Sequence, residues 1–152
     1  MKKIGEYSVR GQYSETLTES DGGMKVNLFD GRYDTGYKVT KFVVWAADWN
    51  NSTNPDVIAK LALVSDLETA AFNFMNADDT REIAWAGASG ATDAWYDFTP
   101  GIVDRDNLII EELYVYVRGA GTGLVNFLIE FDKYDLPDYR GSLAMVQNRS
   151  QG

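Results

Sequence analysis

From the start of the chain, apolar and polar residues alternate with a period of two. Tyr7, Val9, Gly11 and Tyr13 fall on one side, and Glu6, Ser8, Arg10, Gln12 and Ser14 on the other. Successive side chains of a strand point to opposite faces, so this pattern predicts a half-buried strand over 5–14. After the turn chemistry of Glu19-Ser20-Asp21-Gly22-Gly23, the residues Met24, Val26 and Leu28 alternate with Lys25 and Asn27 in a second short strand. Tyr37 to Trp45 is rich in β-branched and aromatic residues. Simple alternation places Tyr37, Val39, Val43 and Trp45 on one face and Phe42 and Val44 on the other, which predicts a central strand covered on both sides in its second half. Val57 to Val64 resumes the strand pattern, and Ala70 to Phe74, Glu82 to Ala86 and Ala94 to Thr99 are shorter candidates.

The densest apolar segments come late. Leu108 to Val117 and Leu124 to Tyr134 flank Arg118-Gly119-Ala120-Gly121-Thr122-Gly123, an arrangement that reads as a β-hairpin. Ile109, Leu113, Val115 and Val117 share one face of the first segment, and Val125, Phe127, Ile129 and Phe131 one face of the second, so these residues are the predicted core. Neither Ala59 to Ala71 nor the last dozen residues carries a capped, sustained helical period. About eight short strands with regular turn signals predict an all-β, two-sheet antiparallel sandwich, with a single jelly roll as the commonest way to connect them. An immunoglobulin-type order and a closed barrel also satisfy the pattern. The sandwich is assigned to residues 1–141, and 142–152 to a C-terminal tail or arm.

Composition narrows the chemistry. The chain has 152 residues, 45% hydrophobic and 24% charged, which fits one domain large enough to bury a core. Its net charge of −9 opposes the phosphate contacts on which nucleic-acid binding depends, so nucleic acid is not an expected partner. No apolar h-region follows the opening residues and no apolar run reaches the roughly 18 residues of a membrane span, so neither a secretory signal nor a membrane association is expected.

With no cysteine there is neither a disulfide framework nor a thiolate zinc site, and with no histidine the commonest general base and every Ser-His or Cys-His pair are missing. The remaining motifs each have an ordinary reading. Asp34-Thr35-Gly36 matches the short aspartic-protease signature, but it follows Asp30-Gly31-Arg32-Tyr33 instead of an apolar strand and has no second copy. Gly119 to Gly123 lacks the following helix that a phosphate loop needs. Asp104-Arg105-Asp106-Asn107 spaces carboxylates as a calcium loop would, yet Ile109 and Val115 stand where an EF-hand has glycine and glutamate. Asp78-Asp79 and Glu111-Glu112 read as surface or interface charge. No catalytic residue, cofactor or metal ligand is therefore assigned.

Two binding readings remain. Twenty aromatics include Trp49 and Trp95, set among Asp48, Asn50, Asp93 and Asp97 as a candidate glycan platform of a carbohydrate-binding sandwich. Leu143, Met145 and Val146 give the tail an apolar character that points to a subunit interface.

Two segments, Phe29-Asp30-Gly31-Arg32-Tyr33-Asp34-Thr35-Gly36-Tyr37 and Asp104 to Tyr116, resemble small structural proteins of bacteriophage virions. The resemblance implies a β-sandwich or jelly roll that forms, or sits upon, a capsid, with other copies of itself and other virion proteins as partners, and it carries no catalytic residues. The expectation is thus a virion structural protein, made in a host cytoplasm and acting by assembly.

Overall fold

A computed structural model describes residues 2–14, 23–28, 31, 34–47, 57–65, 67, 74–89, 97–98, 101–119 and 124–136. These form nine strands: β1 (Lys2–Ser14), β2 (Met24–Asn27), β3 (Thr35–Ala46), β4 (Val57–Ala62), β5 (Glu82–Ser89), β6 (Asp97–Phe98), β7 (Ile102–Val103), β8 (Glu112–Gly119) and β9 (Leu124–Asp135). No helix occurs among the described residues.

Two antiparallel sheets pack face to face. One has the order β1-β9-β3, and the other runs β2-β8-β4-β5-β6 with β7 also paired to β5. The first strand pairs with the last, the second with the last but one, and β4 with β5. This nested order is that of a jelly roll. The strand that would complete the first sheet beside β3 is replaced by the segment around β6 and β7. It joins β5 through register pairs such as Trp85 with Ile102, while the Gly101 amide donates to the Phe42 carbonyl of β3 at 2.8 Å. Gly101 therefore stitches the two sheets along one side. A Cβ there would lie 2.1 Å from the Trp85 carbonyl oxygen, so only glycine fits.

The core is built as the alternation predicts. Ile109, Leu113, Val115 and Val117 meet Val125, Phe127, Ile129 and Phe131 across the interior, all of them buried. Each such side chain contributes about 1.5–3 kcal/mol by leaving water.

Three expectations are corrected. Leu108 to Val117 is not one strand: Ile109 makes an isolated bridge to Tyr37, and regular pairing starts only at Glu112. β8 and β9 do not form a hairpin, because β8 lies between β2 and β4 in one sheet and β9 between β1 and β3 in the other. Their apolar faces meet across the core, which a hairpin within one sheet would not allow. β3 is the edge of its sheet, not a central strand, although its second half is covered on both sides, with Phe42, Val43 and Val44 all buried, and its faces differ from simple alternation. The register with β9 shifts between Val39 and Lys41, so Thr40 is bulged and the parity reverses. Tyr37, Val39, Phe42, Val44 and Ala46 consequently all join the core cluster, and Trp45 is half-buried.

Candidate functional site

The longest strand is also an open one. β1 pairs with β9 over almost its whole length, but its other edge has no partner strand among the described residues. The corresponding edge of the second sheet is β2, only four residues long, so it cannot cover the first half of β1. Tyr7 remains 48% exposed although it faces inward beside Tyr37 and Phe131, with ring centroids 6.0 and 6.2 Å away. Ile4, where the β1–β9 register slips, is 51% exposed. Unpaired amides and carbonyls beside exposed apolar side chains are what a pairing strand from another chain requires.

Beside these residues, β1, β9 and β3 border a groove of about 440 Å³ lined by Glu6, Tyr7, Ser8, Thr40, Glu130, Phe131 and Asp132. Its charge is partly balanced by Lys3, whose ammonium stands 3.1 Å from Asp132 and 3.1 Å from Glu6. The hydrogen bond to Asp132, followed by that to Glu6, raises the Lys3 pKa above its ordinary value.

The motifs that the sequence singles out have structural explanations. Asp34 is in a turn, Thr35 is buried at the start of β3, and the Asp34 carbonyl accepts the Leu136 amide at 2.7 Å. At Gly36 a Cβ would stand 2.8 Å from the tip of the Leu108 side chain and 3.0 Å from that of Leu136, so a larger residue there would make both leucines shift. The Asp104 carboxylate accepts the Asp106 amide at 3.1 Å and the Asn107 side-chain amide at 2.8 Å, a local turn that uses both oxygens. Among the described residues no group of three or more Asp and Glu is placed to hold a metal ion.

Asp79 grips Arg81 at 2.9 and 2.7 Å, and these bonds hold its carboxyl below the usual carboxylate range. Glu112 accepts from the Tyr114 hydroxyl at 2.8 Å and pairs with Lys25 at 2.8 Å across the β2–β8 ladder. Leu124, at the far end of the glycine-rich loop, begins a strand, as the absence of a phosphate-loop helix predicts.

The feature missed by the sequence reading is a buried charged pair. Lys60, at the middle of β4, is 0% exposed, and its ammonium donates to the Phe74 carbonyl at 2.6 Å and to Glu82 at 3.4 Å. It also sits 4.5 Å from the Phe74 ring centre and 5.4 Å from that of Tyr116. The second oxygen of Glu82 accepts the Asn76 amide and the Trp85 indole N–H, each at 3.0 Å. The Tyr116 hydroxyl donates to the Val64 carbonyl at 2.8 Å and accepts from the Leu67 amide at 3.3 Å. The β4–β5 connection is thereby tied over the outer face of the second sheet. Among the described residues both charged side chains are buried, and the hydrogen bonds they make tie β4, β5 and their connection together.

Trp49 and Trp95, and Leu143, Met145 and Val146 with the whole tail, lie outside the described residues. Trp85 is half-buried and committed to Glu82. No protein-family model matches the chain, and no curated protein matches its sequence.

Proposed function

We propose that the chain is a virion structural protein, a capsid or capsid-decoration subunit that acts by protein–protein assembly. The observation that carries this reading is the thirteen-residue edge of β1, which has no partner strand among the described residues and is fringed by exposed Ile4 and Tyr7. Long flat edges are hazards that proteins normally shorten, cover or bend, and a subunit that is meant to associate has a use for one. A rigid sandwich suits a repeated building block, and assembly needs neither histidine nor cysteine. The net charge of −9 favours a position away from a packaged genome. The virion setting itself rests on the resemblance of 29–37 and 104–116 to phage structural proteins.

The test combines sedimentation velocity and electron microscopy of the purified protein with mass spectrometry of virions from the same source. Discrete oligomers or particles, and the chain's peptides in purified virions, are expected. A protein that remains monomeric and is absent from virions overturns the proposal, and so does glycan-array binding that disappears in Trp49→Ala and Trp95→Ala.

A further inference from the structure

The side chains along the open edge are arranged symmetrically about one residue. With Ser8 as the centre, Glu6 and Arg10 are equally spaced on either side, as are Tyr7 and Val9, and Gly5 and Gly11. If two β1 strands pair antiparallel about a two-fold axis through Ser8, Glu6 of each copy stands opposite Arg10 of the other. Tyr7 then stands opposite Val9, Gly5 opposite Gly11, and Ser8 opposite itself. Two-fold pairing of a strand with its own copy keeps each side chain on its own face, so permitted registers differ in steps of two residues. A shift of one step places Arg10 against Ile4 or against Ser8 and loses both ion pairs. A shift of two steps places Glu6 against Glu6 or Arg10 against Arg10. Of these registers the one centred on Ser8 matches opposite charges, and directly opposed unlike charges stabilise a strand pair while like charges destabilise it.

The surface accessibility agrees. Glu6, Ser8 and Arg10 are exposed on the outer face, Tyr7 is 48% exposed on the inner face, and Val9 beside it is only partly covered. We infer that β1 is a homodimer interface, in which two copies pair antiparallel about Ser8 and fuse their three-stranded sheets into one of six. The second copy would cover the Tyr7 ring with its Val9 and satisfy the edge amides and carbonyls. This inference deepens the assembly reading and rests on it for its biological setting, while the pairing is a property of the chain itself.

The chain contains no cysteine, so Ser8→Cys introduces a unique thiol. Opposed Cα atoms in an antiparallel pair are about 4.5–5.5 Å apart, within disulfide reach. Mild oxidation of Ser8→Cys is expected to give a covalent dimer. Gln12→Cys, whose thiols would be about 26 Å apart in this register, is expected to remain uncrosslinked. By sedimentation equilibrium, Glu6→Arg or Arg10→Glu alone should weaken the dimer about tenfold, and the double exchange should restore it. All of these positions are exposed, so the variants keep the fold.

Failure of Ser8→Cys to crosslink, or of the double exchange to restore association, overturns the inference. If the protein still assembles into particles in that case, the assembly reading stands without it. A crosslinked dimer from a protein absent from virions supports the interface and removes its virion setting.

Discussion

Lys60 carries its charge into a place shielded from solvent, beneath Phe74 and between Tyr116 and Trp85 on the neighbouring strands. Removing one member of a buried pair leaves the other charged and uncompensated, which costs about 3–5 kcal/mol. Lys60→Ala should lower the unfolding free energy by that amount in urea titrations. The combined Lys60→Met and Glu82→Gln exchange should recover most of it, because glutamine still offers an acceptor to Asn76 and Trp85.

Tyr114 shows a different dependence on its surroundings. Burial first, and then its hydrogen bond to Glu112, push its hydroxyl up from 10.0 to about 12. A folded-state value above the unfolded one stabilises the protein fully below pH 10, and that contribution fades as the pH rises toward 12. Unfolding midpoints measured across this window should fall more steeply for the native chain than for Tyr114→Phe. At this scale the sequence was only partly legible. The strand pattern of Val57 to Val64 places Lys60 on the face opposite Ala59 and Leu61, away from the space between the sheets. What hides it is the covering by Leu63, Val64, Leu67 and Phe74, which strand periodicity cannot reveal.

Among the elements, the strands with one apolar face were readable from alternation alone, as β8 and β9 show with all their predicted core residues buried. Which sheet each strand joins was not. A glycine-rich connection looks the same whether it closes a hairpin or crosses from sheet to sheet, and the choice was made by neighbours far away in sequence: β2 and β4 for one strand, β1 and β3 for the other. The bulge in β3 left a faint mark in Thr40-Lys41, two adjacent polar residues between Val39 and Phe42, where the alternation slips by one. Gly101 is the element-scale contact most exposed to test. Gly101→Ala drives a methyl group into the Trp85 carbonyl and the Ala86 side chain, so the seam between β3 and β5 must part. A loss of about 3 kcal/mol in thermal or urea unfolding is expected, at the upper end of overpacking costs. Hydrogen-exchange protection should fall first along β5 and β7.

For the whole molecule, the sandwich followed from strand count and turn spacing, because short amphipathic strands have few other ways to bury one face each. The candidate glycan residues Trp49 and Trp95 and the tail residues Leu143, Met145 and Val146 lie outside the described residues, whereas the open edge of β1 emerged from the architecture instead. Nothing in the alternation of 5–14 distinguishes a central strand from an edge. That distinction comes from the brevity of β2 and from the position of β9.

The nested order also governs how this molecule comes into being. β9 is the middle of its sheet, and both β1 and β3 depend on it for their ladders, yet it is the last of the nine strands to be synthesised. The first strand must therefore wait, unpaired, while more than a hundred residues are added, and its partner contacts span nearly the whole sequence. Such long-range closure makes for slow folding, on the millisecond-to-second scale typical of β-sandwiches. It also means that a chain stopped before Leu124 retains every residue of β1 and β3 but cannot form the sheet that joins them.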